Sequence, residues 1–315
     1  MRVAVLPEPG RFEIADEALP ATGPAEVRLR VAVCGVCTSE LDMWRGERGH
    51  ATFPWYPGHE VSGVVEEAGA DVAWPAVGDP VAAWVTTRGF ADQVVVEAEH
   101  CVPVEGVPLE LSLAEPLACA VNAIELARIR LADDVLLVGS GYMGLLLLQL
   151  VAQRGPRHVI VADVRDEALE RARGLGATHV VNAATDSVPG LVDQLTDGRG
   201  VDVSIEATGT QPALSMLADV TRMSGTVTIA GYHQGEPRVV DLAAWNWKAF
   251  HVANAHFRDV GVIMHGMRAA GRLLASKRVT MEPLVTHRFT LDRIGEAFTA
   301  AVEKPEGFVK AVVQP

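Results

Sequence analysis

Four cysteines in 315 residues, at positions 34, 37, 101 and 119, are too few and too irregularly spaced for a disulfide-stapled secreted domain. Basic side chains are also scarce. The 27 Lys and Arg stand against 40 Asp and Glu, a formal charge of −13. Such a surface repels phosphate backbones and anionic lipid, so neither nucleic acid nor membrane is an expected partner. Long hydrophobic runs are missing as well. The longest, around Leu145–Val151, falls far short of the ~20 residues that span a bilayer. MRVAV at the start reads as a strand, without a charged segment leading into an apolar core, so no signal peptide is expected and the chain reads as cytoplasmic. There is no internal repeat and no low-complexity linker.

What is present is a globular composition. Hydrophobic residues make up 49%, and 29 Gly and 18 Pro mark many turns. The length predicts roughly two domains. Residues 1–120 are mostly β in texture. VRLRVAVCGV (27–36), VSGVVEEAG (61–69), PVAAWV (80–85) and QVVVEAEHCVPV (93–104) are short β-branched runs broken by Gly, Pro or Asp. Helical spacing begins at ACAVNAIELARI (118–129), and strands then alternate with helical segments at 186–197 and 211–222. That alternation predicts a parallel sheet wound with helices. A long helix over 259–276, a strand-like THRFTL, a helix over 291–303 and FVKAVVQ close the chain.

The most informative stretch runs from Asp134 to Asp163. VLLV (135–138) leads into Gly139-Ser140-Gly141-Tyr142-Met143-Gly144, an apolar helical run follows, and HVIVAD (158–163) ends in an acid. Each part suits a dinucleotide. Gly139 permits the tight turn, Gly141 lets backbone amides approach a pyrophosphate, and Gly144 lets the helix pack on the strand. The helix start at Tyr142 and Met143 adds partial positive charge, and Asp163 can accept from a ribose 2′-hydroxyl. A plain βαβ crossover is the simpler reading, but strand, glycine turn, helix and acid occur together in the order that nucleotide binding needs. Asp163 favours NAD over NADP, because a 2′-phosphate would meet a carboxylate; Arg165, two residues on, works against that preference.

Ahead of this unit stand Cys37-Thr38-Ser39-Glu40, Gly58-His59-Glu60 and Glu115-Pro116-Leu117-Ala118-Cys119. Thiolate, imidazole and carboxylate are ligands that zinc prefers, and a catalytic zinc takes three of them while keeping one position open. Their separation makes the spacing alone a weak signal. Cys34 and Cys37 form a lone C-x₂-C, which fits a structural zinc or a redox dithiol less well because no second pair exists. Cys34 and Cys101, in apolar strand contexts, read as buried structural residues. Trp44 and Trp55 fall on the loop between Cys37 and His59, as pocket lining or as core. His256 could meet substrate or serve as an ordinary exposed or capping residue.

Taken together, these motifs resemble the zinc-dependent medium-chain dehydrogenase/reductase family of alcohol and polyol dehydrogenases over essentially the whole chain. The resemblance implies an α/β protein with a GroES-like, mostly-β catalytic domain (1–120 and 253–315) and a Rossmann domain (121–252). It also implies the site. Cys37 and His59 map onto zinc ligands, and Cys119 onto the third ligand of alcohol dehydrogenases. Glu60 is the alternative ligand of sorbitol-dehydrogenase-like members, with Glu115 near the metal water. Ser39 maps onto the hydroxyl that meets the reacting oxygen, and Glu40 onto an acid behind the ligands. The family's relay histidine is Asp42 here. VAAWVTTRGFADQ lacks the four-cysteine lobe often found at that place, so one zinc per subunit is expected. Thr208, at the Glu206–Gly209 strand end, and Gly231 are expected beside the nicotinamide.

The function these features imply is hydride transfer between a secondary alcohol (a polyol, sugar alcohol or cyclitol) and NAD, in a homo-oligomer of two or four chains acting on a small alcohol or ketone. Two other readings stand beside it: a zinc-free quinone or enoyl reductase of the same superfamily, and a non-catalytic dinucleotide-binding protein.

Overall fold

In the computed structural model, residues 1–19, 21–47 and 52–315 are described. The chain divides into two compact units, Met1–Ala118 with Val260–Pro315, and Cys119–Asp259. The return to the first unit comes after Asp259 and not after residue 252. Strand His251–Asn254 pairs in parallel with Thr226–Ile229, so the second unit's sheet retains it.

The first unit is built on a seven-stranded sheet. Strand Glu26–Gly35 is its centre, with Val27, Leu29, Val31 and Val33 alternating into the core at period two. It pairs antiparallel with Glu60–Ala68, with Gln93–Glu97, and with the closing strand Lys310–Gln314. The expected 93–104 run is two strands. A short 3-10 turn over Ala98–His100 ends pairing with the central strand and starts pairing of Cys101–Pro103 with Val81–Ala83. Register matters most at Gly35, which lies opposite Glu60 on one side and Val312 on the other. Residues 250 positions apart in sequence thereby meet.

Helix Thr38–Arg45 occupies part of the segment expected as loop. Eight residues with a buried glutamate carry too little periodicity to announce a helix. Trp44 on this helix faces the core beside Phe298, 6.1 Å between ring centroids, so it is packing and not pocket lining. Trp55 exchanges backbone hydrogen bonds with Leu6.

The second unit has six parallel strands: Asp134–Val138, His158–Asp163, His179–Asn182, Val201–Glu206, Thr221–Ile229 and His251–Asn254. In space, third, second and first are followed by fourth, fifth and sixth. The order in which strands are added reverses between the first strand and the fourth, which leaves a crevice at their carboxyl ends. Every residue of Asp134–Val138 is buried, as helices on both faces of a parallel sheet require. At the opposite end of the sheet, Asp134 and Asp202 are clasped by Arg157, Arg199 and Arg222. No helix among the described residues is long and apolar enough to cross a membrane.

Candidate metal centre and dinucleotide site

Cys37 caps the N-terminus of helix Thr38–Arg45, where the helix dipole favours an anionic ligand atom. His59 and Glu60 enter from the start of the neighbouring strand. One ligand atom from each of Cys37, His59 and Glu60 lies within 4.8 Å of the others, the one such group among the described residues. Behind them lies Glu40, 2% exposed. Its Oε1 accepts from the Gly58 amide at 2.6 Å and from His59 Nδ1–H at 3.1 Å, and its Oε2 accepts from the Cys37 amide at 3.4 Å. A carboxylate can only accept, so Nδ1 carries a proton and Nε2 is the nitrogen left for a metal. One side chain thus orients two ligand-bearing segments. Burial works against a charged imidazole, but Glu40 and then Cys37 outweigh it and raise the His59 pKa well above its ordinary value. The pocket attracts positive charge.

Glu60 was expected as the alternative ligand, yet it is the carboxylate that joins Cys37 and His59. Sequence reading missed its partner, Lys310. The ammonium hydrogen-bonds Glu60 Oε1 and the Val36 carbonyl, each at 2.8 Å, and lies 2.7 Å from Glu60 Oε2. Oε2 is buried and makes no hydrogen bond. Burial alone would depress the Lys310 pKa, but Glu60, ahead of Cys37, raises it, so the group stays an ammonium. Gly35 makes the pair possible: a Cβ there would stand 1.9 Å from Glu60 Oε2 and 3.1 Å from Lys310 Cε. The donor set of sulfur, imidazole and an unsaturated carboxylate oxygen fits zinc.

Ser39, in the first turn of the same helix, donates to Cys37 Sγ at 3.3 Å, which sets its hydroxyl beside the ligand group. Glu115 and Cys119 stand one turn apart on helix Ala114–Ala127, both half-buried, and neither belongs to the clustered group. Cys119 opens the second unit. Cys34 and Cys101 are free buried thiols. Burial pushes Cys34 well up and Cys101 to about 12, which suits the structural role expected of them.

In the second unit, Gly139 turns the chain at φ +98°, its amide bonded to the Ala162 carbonyl at 2.7 Å. A Cβ on Gly144 would fall 2.0 Å from the Gly139 carbonyl oxygen, so the helix can close on the turn only with glycine there. Gly141 caps helix Tyr142–Ala152 without a side-chain cap bond, and a Cβ on it would meet nothing within 4 Å. Open space above the helix start at Tyr142 and Met143 is the cradle a pyrophosphate fills. The residues fit a dinucleotide.

Asp163 ends the second strand. Its Oδ2 accepts from Ser140 N (2.8 Å) and Oγ (3.1 Å), and its Oδ1 from Arg165 N (3.0 Å) and Nε (3.3 Å). Burial opposes this charge, but the Ser140 amide and then Arg165 hold the carboxyl below the usual range. At the fourth strand's end, fully buried Glu206 accepts from Thr208 N and Oγ1, Gly209 N and His233 Nε2. Its backbone carbonyl takes the Gly231 amide at 2.8 Å. Thr208 and Gly231 are thus tied to one residue, Glu206, the first through its carboxylate and the second through its backbone. His256 donates from Nε2 to the Gly231 carbonyl at 3.0 Å, a structural contact.

Comparison with known proteins agrees with this two-unit fold. The family model described as "Alcohol dehydrogenase GroES-like domain" matches residues 23–106, and "Zinc-binding dehydrogenase" matches 143–275. An L-threonine 3-dehydrogenase of Chromobacterium violaceum is 25% identical, covering 95% of each chain. A sorbitol dehydrogenase of Gallus gallus is 28% identical over 92% of this chain and 90% of its own. The solved galactitol-1-phosphate dehydrogenase of Escherichia coli shares the fold, with TM-score 0.89 at 22% identity and all of both chains covered. The chain belongs to the zinc-type medium-chain dehydrogenase/reductase family.

Proposed function

We propose that this protein is a zinc- and NAD-dependent dehydrogenase of secondary alcohols, with a polyol, sugar alcohol or cyclitol as substrate. The observation that carries the reading is the Cys37–His59–Glu60 group with the Ser39 hydroxyl beside it. Curated relatives named for sorbitol, L-idonate and D-arabitol phosphate support the substrate class. Cys37 and His59 would hold the zinc, with Glu60 or Cys119 as third protein ligand and Glu115 in reserve. Bound there, zinc supplies Lewis acidity that eases deprotonation of an alcohol. NAD supplies the hydride acceptor.

The chain's own residues supply position and proton handling. Glu40 fixes the His59 tautomer and the Cys37 backbone, so the ligands need little reorganisation. Ser39 Oγ gives up its bond to Cys37, takes the substrate hydroxyl's proton and hands on its own. Asp42, three residues on in the same helix, occupies the position of the family's relay histidine and would take the proton next. Gly141, Tyr142 and Met143 amides take the pyrophosphate, Asp163 the adenosine ribose, and Thr208 and Gly231 flank the nicotinamide. We further propose a homo-oligomer. Edge strand His251–Asn254, with Val252 44% and nearby Trp247 79% exposed, supports self-association.

Incubating zinc-loaded protein with NAD and a panel of polyols and secondary alcohols, followed by NADH absorbance, tests the reading. Cys37→Ser should abolish turnover while NADH binding persists, because the nucleotide residues lie in the other unit. Turnover undiminished in that variant refutes the metal assignment.

A further inference from the structure

Residues 85–90, where the four-cysteine lobe is missing, lie against 56–58, the stretch that delivers His59. The Arg88 amide donates to the Tyr56 carbonyl at 3.1 Å, and the Gly89 amide donates to the Gly58 carbonyl at 3.0 Å. The Thr87 hydroxyl bonds the Tyr56 carbonyl as well. This approach leaves no room for side chains. A Cβ on Gly58, at φ +106°, would stand 2.5 Å from the Phe90 nitrogen, and one on Gly89 would stand 2.8 Å from the Gly58 carbonyl carbon. Gly58 is thereby held on two sides, its carbonyl by Gly89 and its amide by Glu40 at 2.6 Å. It immediately precedes His59, so whatever fixes 85–90 fixes the backbone from which the imidazole is aimed.

Three side chains tie that segment down. Arg88 Nη1 donates to Glu17 Oε2 at 2.8 Å, and the Tyr56 hydroxyl donates to Glu17 Oε1 at 2.9 Å. The Arg88 guanidinium carbon also lies 3.7 Å from the centre of the Tyr56 ring, a cation–π stack. Arg88, then Tyr56, hold the Glu17 carboxyl below its usual range. The backbone at this point is strained. Arg88 sits in the left-handed region at φ +65°, which an arginine enters only at a conformational cost and a glycine enters freely. Contacts must outweigh that strain, and the Glu17 and Tyr56 contacts are the ones its side chain makes.

Resting on the metal reading, we propose that Arg88 is a positioning residue for His59: with Glu17 and Tyr56 it clamps residues 85–90 onto Gly58, completing from the far side the orientation that Glu40 begins. Arg88 acts through Gly58. Its effect is to narrow the directions in which His59 Nε2 points, so that zinc meets a preset nitrogen and less freedom is lost on binding. The Arg88 and Glu17 side chains are 38% and 31% exposed, so solvent screens their pair and the effect is a moderate one.

Zinc affinity of Arg88→Gly and Glu17→Gln, measured by competition with a chromophoric chelator, tests this without turnover. Arg88→Gly removes the side-chain tie and relieves the backbone, so it should melt like wild type while zinc binds about threefold to tenfold more weakly. Glu17→Gln, which cannot answer both donors as a carboxylate does, should weaken zinc by about threefold. Combined with Glu40→Gln, the Arg88→Gly loss should multiply to less than the product of the two single losses, because both groups hold Gly58. A loss of threefold or more in either variant that melts like wild type upholds the proposal. A smaller loss in both, a loss that appears only with a lowered melting temperature, or full multiplication in the combined variant overturns it while leaving the metal reading intact. A folded wild type that takes up no zinc overturns the metal reading as well.

Discussion

Replacing Lys310 with methionine keeps the aliphatic stem and removes one charge from beneath the candidate metal site. Glu60, 1% exposed, would then be a buried carboxylate without its cation, and the Val36 carbonyl would lose its donor. At 2.7 Å and an effective dielectric near 20, the lost attraction is about 6 kcal/mol. Part of this is returned because the ammonium no longer pays desolvation, so the net cost of removing one partner is about 3–5 kcal/mol. Hydrogen exchange of the closing strand Lys310–Gln314 in zinc-free protein reads the local cost directly, and the predicted loss corresponds to exchange roughly 10²–10³-fold faster or more. Lys310→Met with Glu60→Gln should recover most of the protection, since no charge is then stranded. Zinc should stabilise Lys310→Met more than wild type, because a metal beside Glu60 replaces the missing cation. Protection within fourfold of wild type in zinc-free Lys310→Met would show that the ion pair does not govern this strand.

Glu40→Gln should lower zinc affinity about 10–100-fold, measured by competition with a chromophoric chelator, because the amide cannot accept from both Cys37 and His59 segments; unchanged affinity refutes its orienting role. In the second unit, burial opposes the Asp202 charge, but Arg199, the Asp134 amide and Arg222 hold its pKa far below the usual value of 3.8. A depressed folded pKa contributes stability above the unfolded pKa and loses it as pH falls toward the folded one, so the contribution fades below about pH 4. Asp202→Asn should therefore flatten the acid-side fall of the urea midpoint between about pH 4 and pH 2, and an unchanged slope would assign that fall to other carboxylates.

Local signals carried the second unit. Four to six apolar residues in a row, a glycine turn whose residues each have a steric job, and an acid at the next strand end all lie within about thirty residues, the span of one βαβ unit. Gly144, Gly139 and Asp163 accordingly stand where their types imply. The first unit is harder to read because its chemistry depends on pairing between distant strands. Nothing near Lys310 in KAVVQ marks it as more than one turn of a β-alternation, and only the pairing of Val312 with Gly35 and of Gly35 with Glu60 carries it to the site. The helix under Cys37 hid for a related reason: its decisive residue, Glu40, is a buried acid that reaches Gly58 and His59, eighteen and nineteen residues away. Gly35 looked like an ordinary residue in a β-branched run, yet its missing side chain is the space in which Glu60 and Lys310 meet. What a sequence shows readily is a site made by one stretch of chain. A site made by sheet register shows only its ligand types, and the groups that set their charge and orientation emerge once the strands are aligned. Lys310 therefore belongs to the chemistry of this centre as fully as the residues whose types announced it.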